Sequence, residues 1–261
     1  MPSLPLIEPN TALFLDFDGT LADLAPRPDL VQVEPELVGT LRALHLHLGG
    51  ALALVSGRPI AELDHFLHPL QLPCAGVHGA ELRDAGGHRL RQPDPGVPLL
   101  LPPLEALVGA HPGLQLERKS VAVAVHYRAV PHLEGMVRNF AAELASGMPG
   151  IEVLHGKMVV ELKPAGIDKG GAIEAFMRSL PFARRMPLFA GDDITDEAGF
   201  AVVRRLGGIG LLVGERPSAA TASVTGPAAL RCWLHRSAKA LEVMAAAQGT
   251  QVSGATSTTT S

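Results

Sequence analysis

Ala12-Leu13-Phe14-Leu15-Asp16-Phe17-Asp18-Gly19-Thr20-Leu21 is the stretch from which the rest of this chain is read. An apolar run ending in carboxylates, with Pro9-Asn10 before it and Gly19 after it, describes a buried strand with a functional C-terminal edge. Asp16 and Asp18 stand two apart, so strand alternation sends both side chains to one face. Two carboxylates there are costly unless a cation or a proton balances them. Gly19 permits the tight exit that brings backbone close to a ligand. A bare Asp-X-Asp reads as an acidic turn capping the next segment. At the end of an apolar strand it reads as a site.

Outward from that strand, Leu37, Val38, Leu41, Leu44 and Leu48 form a helical stripe that Gly49-Gly50 ends. Ala51 to Val55 is a second buried strand, Pro59 suits the first turn of the next helix, and Ala75 to Val77 is a third strand. The rhythm returns after Lys163: a helix from Asp168, a strand over Pro187 to Ala190, and a helix after Asp193. A strand over Gly208 to Val213 and a helix from Pro227 to about Ala247 complete it. This alternation predicts an α/β fold, a Rossmann-like parallel-sheet core with helices on both faces.

The middle reads differently. Ala80 to Leu82 and His88 to Leu90 flank Asp84-Ala85-Gly86-Gly87 as a hairpin. A helix over Leu99 to Gly109 follows, then a strand within Leu114 to Arg128, where Val121, Val123 and Val125 alternate. A helix near Leu133 to Leu144 and strands near Ile151 to Leu154 and Met158 to Lys163 close an inserted α+β domain. The expected boundaries are a discontinuous core of 1–81 and 163–248, an insert of 82–162, and an unstructured polar tail of 249–261.

A second carboxylate cluster, Gly191-Asp192-Asp193, follows Leu188-Phe189-Ala190, with Asp196 and Glu197 just beyond. Oxygen-only ligands at a strand end suit a hard ion that keeps its waters, Mg²⁺ rather than zinc. The competing reading is an acidic first helical turn, favourable against the macrodipole. Ser56-Gly57-Arg58, after the second strand, offers a hydroxyl and free N–H groups to a phosphate at a helix start. Lys169 offsets the charge of a phosphate placed among carboxylates. Singly these are common surface features; their order, each at the edge of an α/β element, argues for a phosphate site.

This ordered set resembles the haloacid-dehalogenase superfamily of phosphohydrolases. The resemblance implies Asp16 as nucleophile and Asp18 as the acid that protonates the leaving oxygen and then activates water. It implies that Ser56 and Lys169 hold the phosphoryl oxygens. Mg²⁺ would be bound by Asp16, the backbone carbonyl of Asp18 and Asp192, supported by Asp193 and Asp196. Transport ATPases of the superfamily carry Thr at the second position, so Asp18 implies a hydrolase.

Further stretches resemble the trehalose-6-phosphate phosphatases within that superfamily. They are Gly76-Val77-His78-Gly79-Ala80-Glu81, Glu117-Arg118-Lys119-Ser120, Ala124-Val125-His126-Tyr127-Arg128, Val160-Glu161-Leu162-Lys163-Pro164, and Gly191-Asp192-Asp193-Ile194-Thr195-Asp196-Glu197. The likeness runs from about Leu13 to about Leu234. It implies that the insert is a cap, and that Glu117, Lys119 and Glu161 reach the sugar hydroxyls, with Arg128 and His126 assisting. Gly57, Arg58 and His78 complete the expected substrate-binding set; His78 stands where relatives often have Asn. With Trp 1, Tyr 1 and Phe 8, stacking platforms are scarce, and charged groups are the available readers of hydroxyls. Linkers are expected near Glu81 to Asp84 and Leu162 to Gly166. The core motifs alone leave open another sugar-phosphate phosphatase, acting on a sucrose or hexose phosphate, or a sugar phosphomutase.

Bulk properties narrow the class. The 261 residues are enough for a large core, and the formal charge of −4 without a basic stripe disfavours nucleic acid as a partner. Cys74 and Cys232 form neither a disulfide framework nor a zinc motif. The first ten residues lack a basic, apolar leader pattern, and Val97 to Val108, broken by Pro102-Pro103, is too short to span a bilayer. The expectation is a soluble cytoplasmic monomer whose partner is a small sugar phosphate, with no membrane attachment.

Overall fold

The computed structural model describes residues 4–25, 30–91, 96–118, 121–156 and 158–254, the side chains at 91, 96–97 and 248–254 excepted. The chain runs β1 (Thr11–Leu15), α1 (Pro35–His47), β2 (Leu52–Val55), α2 (Ile60–Phe66), β3 (Cys74–Gly76), β4 (Glu81–Arg83) and β5 (Arg89–Arg91). It continues through α3 (Gly96–Ala110), β6 (Gln115–Arg118), β7 (Val123–His126), α4 (Glu134–Ser146), β8 (Ile151–Gly156) and β9 (Val159–Pro164). The last part is α5 (Lys169–Met177), β10 (Met186–Gly191), α6 (Glu197–Arg205), β11 (Ile209–Val213), β12 (Ala222–Val224) and α7 (Pro227–Gly254).

Two compact units divide the chain, one within Met1–Leu90 and Asp168–Ser261, the other within Arg91–Ile167. The first is built on a sheet of order β12-β11-β10-β1-β2-β3-β4-β5. Strands β12 through β3 pair in parallel, and β4 turns back antiparallel on β3. Every residue of β1 is buried, which a parallel strand needs when both faces of its sheet are covered. The cover comes from helices in two packed pairs, α1 with α7 and α5 with α6. The stripe Leu37, Leu41, Leu44 and Leu48 is buried in this core, and Phe14 stacks on Phe182 at 5.4 Å between ring centroids.

The topology places chemistry at one edge. From β1 the chain steps outward through β2 and β3, then returns to lay β10 on the other side of β1 and steps away through β11 and β12. The strand order therefore reverses between β1 and β10, and the crevice at their C-terminal ends is where an open α/β sheet binds ligands. Asp16 and Asp192 follow those two strands directly.

The second unit is an antiparallel sheet of order β6-β7-β9-β8 with α3 and α4 packed on it. Its separate core holds Leu100, Leu104, Val123, Val125, Val160 and Leu162. Burial alternates along β9, as a strand with one face on a core requires.

Three boundaries differ from the sequence reading. The hairpin at 81–91, assigned to the insert, extends the large sheet: Gly76 lies opposite Glu81 and Cys74 opposite Arg83. The Arg83 guanidinium anchors it there, bonding both oxygens of Asp64 at 2.6 and 2.7 Å and the Leu72 carbonyl. The units thus divide at 90/91 and 167/168, and the expected linkers Glu81 to Asp84 and Leu162 to Gly166 fall largely within β4 and β9. The final helix continues to Gly254, past 248, because the run Ala245-Ala246-Ala247 propagates helix well; residues 255–261 lie outside the described set. Among the described residues no helix is long and apolar enough to cross a membrane.

Candidate active site

The site begins where β1 stops. The Asp16 N–H donates to the Ala190 carbonyl of β10 at 2.9 Å, and the Phe17 carbonyl accepts from the N–H groups of Leu21 and Ala22 in the turn that follows. Gly19 adopts φ +74°, and a Cβ there would lie 2.2 Å from Oδ2 of Asp192. Both facts require glycine: backbone passes directly against the carboxylate at the end of β10. Thr20, buried, donates its hydroxyl to Oδ1 of Asp192 at 3.1 Å.

Lys169, the first residue of α5, ties the carboxylates together. Its ammonium lies 2.7 Å from Oδ1 of Asp16 and 2.6 Å from Oδ1 of Asp196. The three residues are 3%, 4% and 0% exposed, respectively for Lys169, Asp16 and Asp196. Asp168 caps α5 by accepting from the Gly171 N–H at 2.7 Å, which fixes the helix start that aims Lys169 inward. The other oxygen of Asp196 accepts from the N–H groups of Asp192 and Asp193 at 2.9 and 2.8 Å. Asp196 is thus a scaffold whose two oxygens already serve Lys169 and the backbone of the Asp192 loop. Gly191 makes room for it, since a Cβ there would meet the Asp196 carboxyl carbon at 2.4 Å.

Carboxylate oxygens of Asp16, Asp192 and Asp196 lie within 4.8 Å of one another. Burial pushes the Asp16 carboxyl up to about 7 against the pull of Lys169, and burial also raises Asp192. Burial alone would lower Lys169, but Asp16 and Asp196 hold its ammonium above its ordinary value. Three carboxylates around one ammonium leave negative charge unbalanced in a buried crevice. The donor set is all oxygen, so the deficit fits a hard divalent cation of the Mg²⁺ type.

Asp18 faces a different partner. Its oxygens receive Nε and Nη2 of Arg58 at 2.6 and 2.7 Å, while Nη1 of Arg58 reaches Glu62 at 3.0 Å. The guanidinium also lies over the rings of Phe17 and Phe66, at 5.7 and 4.9 Å from their centroids. Oγ of Ser56 accepts the Arg58 N–H at 3.2 Å, and the Ser56 carbonyl accepts the His78 N–H at 2.8 Å. His78, at φ 56°, brings its ring to Gly57, where a Cβ would meet it at 2.8 Å. Asp193 stands outside the cluster: its carboxylate caps the short turn at Ile194–Asp196 by accepting the Ile194 N–H at 2.6 Å. A cavity of about 340 Å³ opens beside Asp18, walled by Leu24, Val31, Pro59 and Glu62 among others.

In the second unit, strand register sorts the remaining candidates. Glu117 on β6 and Glu161 on β9 both lie opposite Ala124 of β7, so the two carboxyls share one face with a methyl between them. His126, two residues along β7, is on that face too, and its Nε2 lies 2.8 Å from Oε2 of Glu117. Val123 and Val125 point to the opposite, core-lining side. Arg128 follows β7 and is exposed. Lys119 lies outside the described residues.

The trehalose-phosphatase family model matches residues 14–228, from β1 to the start of α7. The chain belongs to the trehalose-phosphatase family. It is 41% identical over 240 residues to the trehalose-6-phosphate phosphatase of Escherichia coli, covering 91% of this chain and 90% of that protein. Its fold matches the trehalose-6-phosphate phosphatase of Aspergillus fumigatus with a TM-score of 0.73, at 23% identity, over 90% of this chain and 99% of that one. It also matches a haloalkanoate-superfamily phosphatase from Bacteroides thetaiotaomicron, TM-score 0.59 at 14% identity, over 93% and 100% of the two chains.

Two side chains of this trehalose-phosphatase-family site have no role in the sequence reading. One is the Thr20 hydroxyl on Asp192. The other is Arg216, after β11, whose guanidinium bonds the carbonyls of Asp192 and Asp193. Neither residue type, nor the spacing, announces a contact across 24 residues between two loops; only the parallel pairing of β10 with β11 makes it.

Proposed function

We propose that this chain hydrolyses trehalose 6-phosphate to trehalose and inorganic phosphate through an aspartyl-phosphate on Asp16, with Mg²⁺ as cofactor. The observation that carries the reading is the buried Asp16–Lys169–Asp196 array beside Asp192, at the switch point of a chain matched over 14–228 to the trehalose-phosphatase family. The name of the Escherichia coli relative, at 41% identity, supports the substrate.

A carboxylate of Asp16 attacks phosphorus and the bond from phosphorus to the sugar oxygen breaks, while Asp18 gives that oxygen its proton. Water then attacks phosphorus, Asp18 takes a proton from that water, and the bond from phosphorus to Asp16 breaks to release phosphate and the free carboxylate. Lys169 keeps the Asp16 carboxylate in one orientation and balances charge on the transferred group, with Ser56 as a second hold on the phosphoryl oxygens. Arg58, which bonds both Asp18 oxygens, must release one of them before Asp18 can carry the proton. Asp16, the Asp18 carbonyl and Asp192 would hold Mg²⁺, which supplies charge neutralisation at the phosphoryl group. Asp196 acts on the cation site through the backbone it holds, and Asp193 through its cap. Glu117, Glu161 and His126 form the hydroxyl-reading face of a cap. We place the reaction in the cytoplasm, carried out by a monomer.

The test is phosphate release from trehalose 6-phosphate, sucrose 6-phosphate, glucose 6-phosphate and an aryl phosphate, with Mg²⁺ and with EDTA. The reading expects strong preference for trehalose 6-phosphate and loss of release in EDTA. Equal rates on all four esters would refute the substrate, and release undiminished in EDTA would refute the metal.

A further inference from the structure

We propose that Arg216 is a positioning residue that sets Asp192 for cation binding. The inference rests on the Mg²⁺ reading above. The segment Asp192-Asp193 leaves β10 and turns before α6, so its peptide groups lack ladder partners and must find others. Their two N–H groups go to Oδ2 of Asp196. Their two carbonyls go to Arg216: Nε donates to Asp192 O at 2.8 Å and Nη2 to Asp193 O at 2.5 Å. The peptide unit between Asp192 and Asp193 is therefore held at both ends, its carbonyl by Arg216 and its N–H by Asp196, and the units on either side of it are each held at one end by one of these side chains.

The guanidinium is itself held. Nη1 donates to the Pro217 carbonyl at 2.9 Å and lies 2.5 Å from Oε1 of Glu197, whose other oxygen accepts the Ala219 N–H at 2.8 Å. Glu197 opens α6, so Arg216 clamps the loop after β11 to the loop after β10 and to the next helix. A planar fork with donors on three nitrogens does this, where an ammonium would reach fewer of these oxygens. Arg216 is three-quarters buried at the side chain, and its hydrogen bond to Asp192 is made to the carbonyl and not to the carboxylate. It acts through the direction in which Asp192 presents its carboxylate. Partners of this kind alter metal affinity by about 10–100-fold.

The experiment is Mn²⁺ binding to the full chain, read from loss of the free-ion paramagnetic resonance signal, with Mg²⁺ as competitor. Wild type, Arg216→Ala, Arg216→Lys and a surface control, Arg204→Ala, are compared, and thermal midpoints are measured in EDTA. We expect Arg216→Ala to weaken Mn²⁺ binding by about 10–100-fold, Arg216→Lys to fall between it and wild type, and Arg204→Ala to bind as wild type does. Midpoints in EDTA should stay within a few degrees, which separates lost positioning from lost folding. If the alanine variant does not fold, the lysine variant carries the same test. Unchanged Mn²⁺ affinity in the folded variants would overturn the proposal, and so would equal weakening in Arg204→Ala. A wild-type protein that binds no Mn²⁺ would refute the metal reading itself.

Discussion

Lys169 is the residue on which the site's charge balance turns. Its ammonium lies between two buried carboxylates, so removing it leaves both without that cation. Breaking a buried pair by deleting one partner costs about 3–5 kcal/mol. Lys169→Met should therefore lower the unfolding free energy in EDTA by about 3–5 kcal/mol, and adding Asp16→Asn should recover part of that loss. Urea denaturation of the single and double variants checks it; a loss below about 1 kcal/mol in Lys169→Met would contradict it. At this scale the sequence showed the carboxylates and the lysine because they cluster at the ends of strands and at a helix start. It did not show their pairing. Asp18 and Arg58 were both legible, yet only the fold reveals that Arg58 spends its guanidinium on Asp18 and Glu62. Asp193 and Asp196 looked alike in sequence and do different work, because one carboxylate caps its own turn and the other is buried under Lys169.

At the scale of elements, the proposed function assigns recognition to the sheet of the second unit. Register sets Glu117 and Glu161 on either side of Ala124, about 10 Å apart by two strand spacings. A sugar hydroxyl read by a carboxylate loses a charge-assisted bond when that carboxylate becomes an amide. Glu117→Gln and Glu161→Gln should each raise KM for trehalose 6-phosphate about tenfold while leaving the aryl phosphate nearly unchanged, about 1.4 kcal/mol in differential binding. Steady-state kinetics on both substrates decides; equal effects on the two esters would remove these residues from recognition. Periodicity marked long stripes such as Leu37-Leu41-Leu44-Leu48, while α2, α5 and α6 are read from Pro59, Asp168 and Asp193 at their starts, and β6 and β7 are read as one strand within Leu114 to Arg128. It misplaced the hairpin at 81–91, because nothing local to that hairpin says which sheet it joins. The decision lies in Arg83, which reaches Asp64 and the Leu72 carbonyl. Strand β12, Ala222–Val224, escaped notice for another reason: three residues are too few to show a period.

At the scale of the whole molecule, the proposed cation site would link metal binding to stability and pH. The Asp16 carboxyl is raised by burial to about 7, above its ordinary value of 3.8. Between those values the folded chain holds a proton that the unfolded chain has released. Stability contributed by this group is thus present below about 4 and lost as pH rises to about 7. A cation that binds the ionised form offsets the loss. The rise in thermal midpoint on adding Mg²⁺ should therefore be larger at pH 7.5 than at pH 5, and a rise independent of pH would contradict this account. A phosphoryl group on Asp16 can be trapped chemically. Enzyme mixed with trehalose 6-phosphate and Mg²⁺ is quenched in acid within one turnover, reduced with borohydride, digested and read by mass spectrometry. Homoserine is expected at position 16. Turnover of the substrate with position 16 still aspartate, and the reduction product at another carboxylate, would contradict it.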